Sequence, residues 1–139
     1  MRPGAPEAGD ERVSAEGPLV LVVDDNERNL RLARDVLRAA GFRTLEAATA
    51  GEAIALAEAR LPDVILMDVR LPDMSGVDAA RTLGCGERTA RIPVVALSAL
   101  AVEGDDDWRQ AGFAGRLAKP ISVSAFPEQV RSYCTPAGR

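Results

Sequence analysis

The chain has no histidine among its 139 residues. This absence excludes a Ser-His-Asp triad, a His-ligated zinc site and a phosphohistidine formed on this chain. The two cysteines, Cys85 and Cys134, are too few for a disulfide framework, so a reducing, cytoplasmic setting is expected. No apolar run approaches the roughly 20 residues that span a bilayer. The amino-terminal residues also lack the apolar core of a secretory signal, so no membrane association is expected.

The chain also has no excess of basic residues. Lysine and arginine number 17 against 21 acidic residues, which gives a net charge of −4. Because phosphate backbones attract basic patches, this balance disfavours nucleic acid as a direct partner. The composition, 47% apolar and 27% charged, is typical of one globular domain. Residues 1–17 are rich in Pro, Gly and charge and predict a disordered leader, while 136–139 form a short tail.

From Leu19 onward, strand-like and helix-like segments alternate five times. Apolar runs predict strands over 19–23, 43–47, 64–68, 93–98 and 116–118. Helical spacing predicts helices after caps at Asn26 and Thr49, and over 77–83, 105–111 and 124–134, with Gly84 and Gly86 interrupting the third. Five such repeats predict an α/β fold, a doubly wound parallel sheet with helices on both faces.

Polar residues stand where four of these strands end: Asp24 and Asp25, Asp68, Ser98, and Lys119. Because parallel strands point the same way, these residues are predicted to meet at one edge of the sheet. Three carboxylates in one shallow pocket repel each other and favour a bound cation, and oxygen-only ligands suit Mg²⁺. A hydroxyl and an ammonium group can bind phosphoryl oxygens, so the set suits phosphoryl transfer to a carboxylate.

Each of these residues also has an ordinary structural interpretation. Asp24 and Asp25 could simply be acids that the dipole at a helix amino terminus favours. Ser98 could be a loop hydroxyl whose hydrogen bonds are already made, and Lys119 could be a solvated surface charge. Helix capping does not explain why Asp68 and Lys119 also stand at strand ends, so the joint pattern favours a site. Asp73 is interpreted as a turn former before Gly76 rather than as a ligand.

Four segments, in this order, resemble the receiver domains of two-component response regulators, the CheY-like family: LVLVVDDNERN, DVILMDVRLPDMSG, IPVVALSA and LAKPIS. The resemblance covers about 19–133 and looks most like DivK-type single-domain regulators and the receiver modules of hybrid histidine kinases. It implies a receiver domain over residues 18–135. It also implies the flavodoxin-like strand order 2-1-3-4-5.

The resemblance also implies how the acidic residues act. Asp68 would be the phosphoacceptor and would share a Mg²⁺ ion with Asp25. Asp24 would bind the ion through water, and the backbone carbonyl of Arg70 would be a further ligand.

The other strand ends would bind the phosphoryl group. Ser98 would be the switch hydroxyl, and Lys119 would pair with a phosphoryl oxygen, presented by a cis peptide to Pro120. Arg116 departs from the family, which commonly has Tyr or Phe three residues before this lysine. An arginine cannot bury its charged head cheaply, so the output is expected to run through Leu100 and the residues after it.

These features predict a stand-alone phosphoacceptor switch in the cytoplasm. A histidine kinase or histidine phosphotransfer protein would phosphorylate it, and it would then engage a downstream effector protein as a monomer or weak dimer. Its only catalysis would be its own phosphorylation and dephosphorylation. The alternatives are a receiver-like binding module that is not phosphorylated, a domain cut from a hybrid kinase, and a Mg²⁺-dependent phosphatase of the haloacid-dehalogenase type. The last would need an aspartate two residues after Asp68, where Arg70 stands.

Overall fold

A computed structural model describes residues 17–98, 112–118 and 123–134. Several of the sequence predictions lie outside these described residues: most of the disordered leader, the output surface from Leu100 onward, the helix over 105–111, Lys119 with its cis peptide, and the tail.

Strands and helices alternate along the described residues. The strands are β1 (Leu19–Val23), β2 (Arg43–Ala47), β3 (Val64–Asp68), β4 (Val94–Ser98) and β5 (Phe113–Ala118). The helices are α1 (Glu27–Ala39), α2 (Ala50–Arg60), α3 (Gly76–Cys85) and α4 (Phe126–Tyr133). All strand pairs are parallel and follow the order β2-β1-β3-β4-β5. The predicted doubly wound sheet and its strand order 2-1-3-4-5 are therefore confirmed.

Side-chain caps start the first two helices where the sequence predicts them. The Asn26 side chain accepts from the N–H groups of Arg28 and Asn29, at 2.9 and 3.3 Å. The Thr49 hydroxyl accepts from the Glu52 N–H at 3.1 Å, and the Glu52 carboxylate accepts from the Ala48 N–H at 2.8 Å. The first of these bonds caps α2, and the second ties the residue before the cap to the first turn of the helix.

Several element boundaries differ from the sequence predictions. Strand β4 begins at Val94 instead of residue 93, and α4 spans Phe126–Tyr133 instead of 124–134. Two further differences, at α3 and β5, have a cause in the structure. Helix α3 continues through Gly84 to Cys85 instead of stopping at residue 83. It can do so because the buried Thr89 hydroxyl donates to the Leu83 carbonyl at 2.6 Å and satisfies the helix end. Strand β5 begins at Phe113, three residues before its predicted start, because it pairs with the beginning of β4 across a register shift.

The sheet divides the core into two layers. Side chains alternate along β3, so that Ile65 and Met67 pack with the apolar residues of α2 and α3. Val64 and Leu66 pack on the opposite face with those of α1 and α4. All five residues of β3 are buried, as expected for a central strand of a parallel sheet covered on both faces. No helix in the described ranges is long and apolar enough to cross a membrane.

Helix α4 is held to its neighbours by two aromatic contacts. The Arg131 guanidinium lies 4.8 Å from the centre of the Phe42 ring and donates to the Ala40 carbonyl at 3.3 Å. The Tyr133 ring lies directly against Gly115 in β5, in the space that any side chain at position 115 would occupy. The end of α4 therefore packs against both α1 and the edge of the sheet.

Candidate metal centre at the carboxyl edge of the sheet

Three carboxylates meet at the carboxyl edge of the sheet. Asp24 and Asp25 follow β1, and Asp68 is the last residue of β3. Because Val23 pairs with Met67, the two strands deliver these acids side by side. One carboxylate oxygen from each residue lies within 4.8 Å of the others.

Asp24 is a buried member of this cluster, and its side chain also binds groups at the start of α1. Its side chain is 1% exposed. One oxygen accepts from the Asn26 N–H at 2.9 Å, and the other accepts from the Asn29 side-chain amide at 3.2 Å. The Asp24 N–H donates to the Ala47 carbonyl at 3.1 Å, which fixes its backbone to the end of β2. The interpretation of Asp24 as an acid at a helix start is therefore supported, and its role at a metal ion stays a prediction.

Asp68 and Asp25 differ in their access to solvent. Asp68 is 7% exposed, and its Oδ1 accepts from the Arg70 N–H at 2.9 Å, which orients the carboxylate. Asp25 is exposed. The cluster therefore has two buried acids and one acid at its solvent side, so a small ion can enter without opening the core.

The donor set of this cluster fits a hard divalent cation. All three side chains offer oxygen, and no cysteine or histidine belongs to the group. Mg²⁺ favours oxygen ligands and retains several waters, which suits three carboxylates beside solvent. Asp24, Asp25 and Asp68 are the residues that would hold it. The further ligand predicted at the Arg70 carbonyl stays a prediction.

The remaining predicted site residues lie at the ends of β4 and β5. Ser98 is the last residue of β4 and pairs with Ala118, the last residue of β5. Asp68 pairs with Leu97, so the backbone brings position 98 to the same edge as the acids. Lys119 is next in the chain after Ala118 and lies outside the described residues. The roles of Ser98 and Lys119 stay predictions, as does the effect of Arg116 on switching.

Asp73 makes a contact that the sequence does not predict. Instead of acting only within its own turn, Asp73 reaches the first turn of α2. Its Oδ1 accepts from the Ala50 N–H and its Oδ2 from the Gly51 N–H, both at 2.9 Å. These two N–H groups hold the pKa of the Asp73 carboxyl below its ordinary value. Nothing local in the sequence indicates this contact, because donor and acceptor are 22 or 23 residues apart.

Comparison with known proteins identifies the family. The model of the family described as response regulator receiver domain matches residues 20–131. The chain belongs to this family. This receiver domain is 42% identical over 115 residues to the polar-differentiation response regulator DivK of Brucella ovis, covering 82% of this chain and 94% of that protein. The DivK of Brucella anthropi is 41% identical over the same length, with the same shares covered.

Solved structures agree with this assignment. The chemotaxis response regulator CheY4 of Vibrio cholerae superposes on the receiver domain with a TM-score of 0.80 at 25% identity, covering 84% of this chain and 98% of that one. The receiver domain of the sensor histidine kinase PA1611 from Pseudomonas aeruginosa gives a TM-score of 0.78 at 34% identity, covering 85% and 98%. That structure has a magnesium ion coordinated in its active site cleft. The resemblance to CheY-like and DivK-type regulators is confirmed.

Proposed function

We propose that this receiver domain is a phosphoacceptor switch that receives a phosphoryl group on Asp68. The observation that carries the proposal is the cluster itself: a buried carboxylate ends the central strand, with two further carboxylates within 4.8 Å. Such a cluster favours a divalent cation, and a cation beside a fixed carboxylate suits phosphoryl transfer. Membership of the receiver family supports histidine kinases and effector proteins as the classes of partner.

A phosphohistidine donor must lie outside this chain, because the chain has no histidine. The P–N bond of a partner's phosphohistidine breaks as a P–O bond forms to the Asp68 carboxylate, and the imidazole that leaves takes up a proton. The Arg70 N–H holds Asp68 Oδ1 at 2.9 Å, so the acceptor is oriented before the donor arrives. Mg²⁺, when bound by the acids, neutralises the charge that builds up between carboxylate and phosphoryl group.

The proposed roles of the other residues follow from the likeness to the receiver family. Asp25 would bind the ion directly, Asp24 would act through water, and the Arg70 carbonyl would be the further protein ligand. Ser98 and Lys119 bind oxygens of the transferred group, one by a hydroxyl and the other by an ammonium group. The magnesium ion in the PA1611 receiver domain supports the choice of metal.

The proposed output is a change in protein–protein contacts. A phosphoryl group adds negative charge at the ends of β3 and β4 and draws the Ser98 hydroxyl toward it. The surface around β4 and β5 then favours a different partner. The chain performs no reaction on a metabolite, and its own catalysis consists of accepting the group and hydrolysing it slowly.

A labelling experiment tests the acceptor. The full chain is incubated with a phosphorylated histidine kinase or with a small acyl phosphate, in Mg²⁺ or in EDTA. We expect an acid-stable, alkali-labile phosphoryl adduct in Mg²⁺ that is lost in EDTA and in Asp68→Asn. Asp78→Asn is a matched control, because Asp78 is an exposed acid on α3, and this variant should keep the adduct. Equal labelling of Asp68→Asn and wild type would overturn the proposal.

The single lysine of the chain gives a second test, directed at Lys119. Reductive methylation with ¹³C-formaldehyde labels this side chain and leaves its charge in place. Addition of beryllofluoride with Mg²⁺, a mimic of the phosphoryl group, should shift its NMR signal in wild type. The signal should stay in place in Asp68→Asn. A shift of the same size in both proteins contradicts a phosphoryl contact at Lys119.

A further inference from the structure

The loop of residues 69–75 carries one predicted metal ligand and is closed at its base. The Gly76 N–H donates to the Val69 carbonyl at 2.9 Å, and Arg70 forms an antiparallel bridge with Ser75. Only glycine fits at position 76, because a Cβ there would approach the Val69 Cα at 2.7 Å. The base of the loop also holds the acceptor, since the Arg70 N–H donates to Asp68. Any movement of the loop therefore moves groups that touch the acceptor.

The far end of this loop is tied to a different helix through Asp73. The first four N–H groups of a helix have no intrahelical partner. In α2, the Thr49 hydroxyl satisfies one of them, the Glu52 N–H, while the Ala53 N–H makes the first helical bond, to the Thr49 carbonyl. Asp73 accepts from two more, the N–H groups of Ala50 and Gly51, with one carboxylate oxygen each. The helix has its own cap, so the second cap supplied by Asp73 links α2 to the loop.

Helix α2 packs closely against the sheet, so its amino terminus is a rigid anchor for Asp73. Its buried residues Ala50, Ala53 and Ala57 are all fully inaccessible and belong to the core layer that includes Ile65 and Met67 of β3. Small side chains let the helix approach the sheet closely, and a closely packed interface moves little. A loop tied to α2 is therefore held relative to β3 and to the acid at its end.

We propose that Asp73 is a positioning residue for the acceptor site: by binding the amino terminus of α2 it holds the loop of residues 69–75 where the Arg70 backbone serves both Asp68 and the metal ion. The inference rests on the proposed function, because it concerns the Mg²⁺ affinity of that site. Groups that orient metal ligands typically change metal affinity about 10- to 100-fold when removed. Asp73 acts through a loop, so we expect about tenfold.

The test compares two caps of the same helix. Asp73→Ala removes the link to the loop, whereas Thr49→Ala weakens the same end of α2 and leaves the link intact. Calorimetric titration with Mg²⁺ should give a dissociation constant about tenfold higher in Asp73→Ala and within twofold of wild type in Thr49→Ala. Asp73→Asn retains one acceptor oxygen and should lie between. The labelling rate of Asp73→Ala should fall most at low Mg²⁺ and recover at saturating Mg²⁺.

A second measurement needs no variant. Because linkage is reciprocal, a contact that favours Mg²⁺ binding is itself favoured by Mg²⁺. Saturating Mg²⁺ should therefore slow hydrogen exchange of the Ala50 and Gly51 amides of wild type, and leave the Glu52 amide, bound to Thr49, less affected.

The outcomes separate the two proposals. In the first case, wild type binds Mg²⁺ and is labelled on Asp68. If Asp73→Ala then has the same Mg²⁺ dissociation constant as Thr49→Ala, and Mg²⁺ does not slow exchange of the Ala50 and Gly51 amides, the inference is wrong and the proposed function stands. If wild-type Asp68 is not labelled in Mg²⁺, the proposed function is wrong and the inference falls with it.

Discussion

Removing one charge from the acidic cluster should stabilise the metal-free protein. The cluster gathers three carboxylates whose oxygens lie within 4.8 Å of one another. Asp25 is the member at the solvent side, and Asp25→Asn keeps the size of the side chain while it removes the charge. Most substitutions of folded proteins are destabilising, so a stabilising effect here would be specific to the cluster.

The size of the effect follows from Coulomb's law. Two unit charges 4.8 Å apart repel by about 0.9 kcal/mol in bulk water and about 3.5 kcal/mol at an effective dielectric constant of about 20. Asp25 has two such neighbours, but its exposure lets water and salt screen them. We therefore expect Asp25→Asn to raise the free energy of unfolding by about 1 to 2 kcal/mol at low salt without metal.

Mg²⁺ should reverse this order and make wild type more stable than Asp25→Asn. A ligand that binds only the folded state at a concentration of 100 times its dissociation constant adds about 2.7 kcal/mol. Wild type should gain this amount, and Asp25→Asn should gain little because it lacks one of the three carboxylates proposed to hold the ion. Urea unfolding followed by circular dichroism, in EDTA and in Mg²⁺, measures the free energy of unfolding of both proteins under both conditions.

The control is Asp35→Asn, which makes the same change in net charge on the exposed part of α1. Asp35 pairs with Arg34 at 3.2 Å on the surface, so its loss should cost at most about 1 kcal/mol and should not depend on Mg²⁺. The reasoning is refuted if Asp25→Asn destabilises the metal-free protein, or if Mg²⁺ stabilises the variant as much as wild type.

Four further outcomes follow from the packing and the capping contacts. Gly115→Ala forces a methyl group into the Tyr133 ring and should cost about 1 to 3 kcal/mol in urea unfolding, less in combination with Tyr133→Ala. Phe126→Ala empties a fully buried site and should cost about 3 to 5 kcal/mol. Leu61 has a left-handed φ of 47° and is 42% exposed, so Leu61→Gly should raise the unfolding free energy by up to about 1 kcal/mol. Asp73→Asn should be less stable than wild type at neutral pH; because the pKa of Asp73 is lowered by folding, this difference should shrink as pH falls below about 4 in a pH series of urea unfolding curves.

The fold was readable in the sequence because its patterns are local. Strand β3 appears as a continuous apolar run ending on Asp68, and caps at Asn26 and Thr49 mark the helix starts directly. The wrong boundaries of α3 and β5 depend on contacts with residues outside the element itself. Helix α3 extends to Cys85 because the Thr89 side chain folds back onto it, and no local pattern indicates that contact.

The candidate site shows the same division. The rule that parallel strands end at one edge brings Asp24, Asp25 and Asp68 together, and the structure places them there. The rule says nothing about contacts between one loop and a neighbouring helix. For that reason Asp73 was interpreted as a turn former, although it accepts from two N–H groups of α2. The residue type of Asp73 gives no sign of this contact, which depends on where the fold places the start of α2.

The central place of β3 decides where the molecule can respond. This strand is hydrogen-bonded on both sides and buried on both faces, so Asp68 stands on a strand that cannot shift easily. A chemical group attached to Asp68 cannot be accommodated by a shift of β3, because such a shift would break the hydrogen bonds to both neighbouring strands. The displacement must instead be absorbed by the segments that surround the strand end. The proposed acceptor would therefore stay in place while the loops around it change position.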